Sequence, residues 1–149
     1  MKYLAPKGAG MWRMESLCAY ATHGRGMNIR GIRADLLQAL LSLGEHWHPH
    51  EFAALLREED EVIAELDLLP GTVGGERHAT MHLDMMPLDT HVAGSAHSHP
   101  NGVLRPSPAD LRFFPRAGRY HVIVGHPYTE DDWRCFRSDG VEWSLEVIA

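Results

Sequence analysis

Cysteine is scarce in this chain. Among 149 residues there are two, Cys18 and Cys135, and no C-x-x-C pair. That excludes a zinc ribbon and a dense disulfide framework. Two buried thiols in a reducing cytosol are expected, and a single disulfide between them stays open because sequence distance does not report spatial distance. Long hydrophobic runs are also missing. No stretch approaches the ~20 apolar residues of a membrane span. The N-terminal MKYLAPKGAGMWRMESL has no continuous apolar core of the signal-peptide kind. Together these absences point to the cytoplasm and to no membrane contact. Positive charge is in deficit, with 14 Lys and Arg against 20 Asp and Glu and a formal net charge of −6. A nucleic-acid binder more often carries a clustered basic surface, so no nucleic-acid partner is expected. There is no internal repeat and no low-complexity stretch.

What is present suits one soluble globular domain. Hydrophobic residues make up 44% and charged residues 23%, and the length supports a sizeable core. Residues 1–26 hold Gly8, Gly10, Gly24 and Gly26 and no sustained period, which reads as an extension with a short strand near Ser16–Ala21. From Ile29, the spacing of Ile32, Leu36, Leu37, Leu40, Leu41 and Leu43 predicts an amphipathic helix that stops at Gly44. Phe52–Leu56 and Val62–Leu69 predict a hairpin around the charged turn Glu58–Glu61. Gly71–Gly75 reads as a loop. Strands are expected at His78–Leu83, Thr90–His97 and Tyr120–Gly125, with a short helix at Pro108–Phe114. Trp133–Arg137 and Val141–Ile148 form a last pair about the turn Ser138-Asp139-Gly140. Helices alternating with several strands predict a mixed α/β (α+β) fold with helices packed outside a central sheet.

The chemistry concentrates in HSHPNGVLRPSPAD, residues 97–110. If His97 and His99 end a strand, positions i and i+2 share a face and both rings can point at one metal ion. Asn101-Gly102 reverses the chain. Ser107-Pro108 opens a helix, with serine as N-cap and proline at the first helical position. Asp110 falls in its first turn, where the helix dipole favours the carboxylate. Two imidazoles and a carboxylate can supply three ligands to Zn²⁺ and leave a fourth position for water. The bland alternatives are two structural histidines and an aspartate that only complements the dipole. A rival cluster, His46-x-His48-x-His50, reads as helix-end or loop residues. Met81, Met85 and Met86 read as core or groove packing. Arg105, Arg112, Arg116 and Arg119 read as a solvated rim, with docking of an acidic partner as the alternative.

The same stretch resembles the H-x-H-P-x(n)-S-x-x-D pattern of the JAMM/MPN metalloprotease family, and the resemblance runs from about Met27 to the C-terminus. PHEFAALL, residues 49–56, is similar to the family's upstream glutamate segment, with Ala54 where the family often has glycine. The resemblance implies a 27–149 catalytic domain built on a curved, mostly antiparallel sheet flanked by helices. It implies His97, His99 and Asp110 as zinc ligands. Glu51, on its own one more member of an acidic stretch, becomes the general acid/base. Ser107, on its own an N-cap, becomes a donor to the developing oxyanion. The implied activity is hydrolysis of peptide or isopeptide bonds at the C-terminus of ubiquitin-like or sulfur-carrier modifier proteins, with a homodimer allowed. A non-catalytic MPN scaffold and a small-molecule metal-dependent amidase are the alternatives. Residues 76–86, ERHATMHLDMM, are expected to supply the sheet edge that receives an extended substrate tail.

Overall fold

A computed structural model describes residues 28–69 and 91–149. The extension at 1–26, the loop at 71–75, the strand expected at 78–83, the three methionines, the 76–86 edge and Cys18 lie outside the described residues. Strand β1 (Gly31–Arg33) leads into helix α1 (Ala34–Trp47), followed by the hairpin β2 (Ala53–Glu59) and β3 (Val62–Leu68). Then come β4 (Val92–His99), helix α2 (Pro108–Ala117), β5 (Tyr120–Gly125), β6 (Trp133–Arg137), β7 (Glu142–Trp143) and β8 (Glu146–Ile148). The strands form one sheet in the order β7-β6-β5-β4-β2-β3-β1-β8. The four pairings β2–β3, β2–β4, β5–β6 and β6–β7 are antiparallel, whereas β1–β3, β1–β8 and β4–β5 are parallel.

The last expected strand is in fact two. Only Ser144 and Leu145 separate β7 from β8, yet these strands lie at opposite ends of the strand order. The sheet must therefore curl so that its two edges meet. The Trp143 indole N–H closes the seam by donating to the Ile29 carbonyl at 3.0 Å.

Helix α1 begins later and ends later than its apolar spacing predicts. Ile32 belongs to β1, because its backbone pairs in parallel with Ile63 and Val147. Leu36, Leu37, Leu40 and Leu41 form the buried stripe, as expected. Gly44 does not stop the helix. It is buried within it, and a Cβ there would lie 2.5 Å from the Tyr128 ring. The hairpin turn is tighter than the charged run suggests. Asp60 and Glu61 alone make it, with φ of 52° and 66°, so Glu58 and Glu59 stay in β2, and the positive φ pair matches the twist of the flanking strands.

Each sheet face carries its own core. Ala54, Leu56, Ala96, Val122 and Val124 pack against α1, and Ala53, Leu55, Ile123 and Phe136 pack against α2. Cross-strand partners share a face, and Ala53 pairs with His97. His97 therefore faces α2. Strand β5 is buried along its whole length, as a central strand with a parallel neighbour should be.

The β4–β5 contact leaves no room at Gly94. A Cβ there would lie 1.6 Å from the Tyr120 carbonyl oxygen, and Gly118 abuts the same glycine. Gly94→Ala is expected to cost at least about 3 kcal/mol, at the upper end for overpacking, as read by urea denaturation. A loss below 1 kcal/mol would show that the strands can part there.

Candidate metal centre

Strand β4 ends with His97 and His99 on one face, one residue apart in the pleat. The chain then reverses: the Gly102 N–H donates to the His99 carbonyl at 2.9 Å, and the Val103 N–H donates to Asn101 Oδ1 at 2.9 Å. Gly102 has φ of 79°, which favours glycine. Helix α2 opens with a capping box. The Asp110 N–H donates to Ser107 Oγ at 3.1 Å, and the Ser107 N–H donates to Asp110 Oδ2 at 2.8 Å. This reciprocal pair fixes the Asp110 carboxylate over the two imidazoles.

Three donor atoms converge. His97 Nε2 lies 2.9 Å from His99 Nε2. Asp110 Oδ1 is 3.2 Å from His97 Nε2, and Asp110 Oδ2 is 3.1 Å from His99 Nε2. All three ligand atoms lie within 4.8 Å of one another, an arrangement able to hold a metal ion. His99 Nδ1 lies 2.7 Å from the Val103 carbonyl oxygen. A carbonyl can only accept, so Nδ1 carries a hydrogen, and in the neutral ring that a metal requires the lone pair is on Nε2. Such a partner fixes the tautomer of a metal-binding histidine. The Val103 carbonyl has no signature in the sequence.

The electrostatics agree with an ionised carboxylate. Burial opposes the charge on Asp110, but hydrogen bonds to His97 and His99 outweigh it and hold the carboxyl well below the usual carboxylate range. Burial likewise opposes a charged His99, yet Asp110, the Val103 carbonyl and the charge of Glu51 together raise it.

Glu51 lies just before β2. The Phe52 N–H donates to Ser98 Oγ at 3.0 Å, and the Ser98 N–H donates to the Phe52 carbonyl at 3.2 Å. Extending the Ala53–His97 register by these bonds sets Glu51 opposite His99 and on its face. Ser98, which no motif singles out for chemistry, is the clamp that ties the residue after Glu51 to β4. Ser107 is half-buried and acts as the N-cap. Its oxygen accepts in that role, so its hydroxyl hydrogen remains available to a ligand.

Among the described residues, His46, His48 and His50 form no comparable group. His46 lies in the last turn of α1, edge-on to Trp47 at 5.0 Å, and His48 stacks on His126. Arg105, Arg112 and Arg116 are exposed, and Arg119 sits over the Tyr120 ring at 5.9 Å. Cys135 is buried in the α1-side core, and burial pushes its thiol up to about 12. At neutral pH it is no nucleophile. No helix among the described residues is long and apolar enough to cross a membrane.

This geometry has relatives. Residues 33–138 match the family described as prokaryotic homologues of the JAB domain. A probable metalloprotease of Haloferax volcanii is 42% identical over 134 residues, covering 83% of each chain. A solved JAB1/MPN-domain protein from Archaeoglobus fulgidus shares 39% identity at a TM-score of 0.66, covering 80% of this chain and 99% of that one. A second solved structure, described as a metalloprotease-like JAMM zinc site in the proteasome and signalosome, shares 36% identity at a TM-score of 0.65, covering 82% and 100%. The chain belongs to the prokaryotic JAB-domain family of JAMM-like metalloproteases, and its mixed α+β fold is that of the MPN domain.

Beneath the centre lies a buried histidine, His121, that belongs to no motif in the sequence. His121 stacks on Phe114 with ring centroids 3.9 Å apart, and its Nδ1 is 2.8 Å from Ser95 Oγ. Its Nε2 lies 3.1 Å from the Gly118 carbonyl, so Nε2 donates and Nδ1 accepts. The neutral ring is thus satisfied, and burial lowers its pKa from 6.5 to about 3. The unfolded chain takes up a proton below about pH 6.5 that the fold refuses until about pH 3. The stability this histidine contributes is complete above pH 6.5 and is lost as pH falls through that window. In chelated, metal-free protein, His121→Asn should make the acid-side decline shallower by up to about 1.4 kcal/mol per pH unit. Parallel declines for both proteins would show that His121 titrates normally.

Proposed function

We propose that the chain is a zinc-dependent peptidase or isopeptidase that cuts at the C-terminus of ubiquitin-like or sulfur-carrier modifier proteins. The convergence of His97, His99 and Asp110 on one point is the observation that carries this reading. Ligands held ~2.0–2.1 Å from a tetrahedral ion lie about 3.3 Å apart. The 2.9 Å between the two Nε2 atoms is close to that edge length, and each Nε2 has its own Asp110 oxygen at 3.1–3.2 Å. Two neutral imidazoles and one carboxylate also suit zinc in a catalytic site with an open position. The zinc site named for the second solved structure supports the same metal.

Bound zinc would supply an acidified water and polarise the scissile carbonyl. The rest falls to the protein. Glu51, facing His99, takes a proton from the attacking water and delivers it to the leaving amine. Ser107 donates its hydroxyl hydrogen to the carbonyl oxygen as that oxygen gains charge. The His99–Val103 bond holds the hydrogen of the neutral ring on Nδ1 and turns Nε2 toward the metal.

About one zinc per chain is expected by elemental analysis, and His97→Ala or Asp110→Ala should remove it. Glu51→Gln should keep the zinc and lose hydrolysis. Ser107→Ala should keep the zinc and slow turnover roughly 10²-fold. Full zinc in a His97→Ala/His99→Ala double variant would contradict the ligand assignment, and unchanged turnover in Ser107→Ala would leave that serine a cap only.

The substrate reading rests on tail shape. An extended Gly-Gly tail docks by backbone hydrogen bonds and leaves little bulk near the cut. Residues 76–86 are proposed to receive it. Cleavage of a ubiquitin-like fusion is expected after the last glycine, by mass spectrometry. Replacing that glycine with leucine should slow cutting sharply, whereas equal rates would rule the tail preference out.

A further inference from the structure

Glu51 sits on a short bridge between two anchors. On its C-terminal side, Phe52 is bonded in both directions to Ser98. On its N-terminal side, the His48 N–H donates to the Gly44 carbonyl at 3.0 Å, and His48 Nδ1 lies 3.2 Å from the Tyr128 hydroxyl. Only Pro49 and His50 separate His48 from Glu51, and the His50 N–H is tied to the Trp47 carbonyl at 2.7 Å.

Tyr128 is built into this corner. It is only 7% exposed although it belongs to the β5–β6 loop. Its φ is 63°, an uncommon conformation for a bulky residue that the surroundings must enforce. Its ring fills the notch left by Gly44, which explains a glycine inside a helix. Burial and then the charge of Glu51 push its phenol upward, so the carboxylate and the hydroxyl feel one another. Next to it, His48 and His126 stack at 4.5 Å with planes 19° apart. Imidazole lone pairs lie in the ring plane, so a stacked pair cannot chelate one ion. The pair is a wall and not a second metal site. His126 in turn donates its N–H to the His99 carbonyl at 3.3 Å.

We propose that Tyr128 is a positioning residue for Glu51: through its hydroxyl bond to His48 it fixes the 48–51 corner that aims the carboxylate at the reacting water. The proposal rests on the reading of Glu51 as the acid/base. It assigns Tyr128 no contact with substrate or metal.

Tyr128→Phe keeps the ring in the Gly44 notch and removes only the hydroxyl. In zinc-loaded enzyme acting on a Gly-Gly-tailed ubiquitin-like fusion, kcat should fall about five-fold, the scale set by one neutral hydrogen bond. KM and zinc content should hold, and Tm should fall by no more than a few degrees. Placed on Glu51→Gln, the same change should leave the residual rate unaltered, because its route of action is already gone. A further five-fold loss there would make Tyr128 merely structural and overturn the proposal. Unchanged kcat in Tyr128→Phe alone would overturn it while leaving the acid/base reading intact. Full turnover in Glu51→Gln would overturn both. A test without turnover uses metal-free protein. Spectrophotometric titration should show one tyrosine ionising at lower pH in Glu51→Gln, and no such change when Tyr128 is already Phe. No lowering would show the two groups too far apart for the proposal to stand.

Discussion

The candidate centre depends on one carboxylate held from three sides. Asp110 accepts from the Ser107 N–H and meets both His97 and His99. Two requirements of the chain are satisfied by the same side chain. Helix α2 needs an acceptor for an orphan N–H at its start, and the imidazoles need a third partner. Moving α2 along the sheet by one turn would break the cap and the cluster together. The centre is therefore a consequence of where a helix begins, set by Ser107-Pro108 at its first turn.

The sheet supplies the other half of the frame. Pleat parity sends His97 and His99 to the α2 face and Ser98 to the α1 face. Ser98 uses that opposite side to clamp Phe52, so one tripeptide both presents two donors and anchors the residue next to Glu51. Tight backbone contact at Gly94 and Gly118 keeps β4 and β5 in register beneath them. The buried His121–Phe114 stack then packs α2 against the same strands.

Much of this is legible in the sequence because it is local. The N-cap serine, the proline after it, the Asn-Gly reversal and the i, i+2 histidines are rules of a few residues each. What escapes is long-range. Ile32 shares helical spacing with Leu36, but parallel pairing with β3 and β8 draws it into a strand. Gly44 carries the composition of a stop, but a ring 84 positions away occupies the space of its side chain. Val141–Ile148 reads as one strand because nothing local announces that the sheet curls and takes its two halves to opposite edges. The Val103 carbonyl and the Tyr128–His48 bond are backbone or loop contacts that no periodicity records.

His97, His99 and Asp110 should share one metal ion. A crystal of zinc-loaded protein, measured on both sides of the zinc absorption edge, tests it directly. The expected result is a single strong anomalous peak per chain, ~2.0–2.2 Å from His97 Nε2, His99 Nε2 and an Asp110 oxygen, with an open position toward Glu51. A peak seated on the His46–His50 segment, or no ordered peak despite bound zinc, would contradict it.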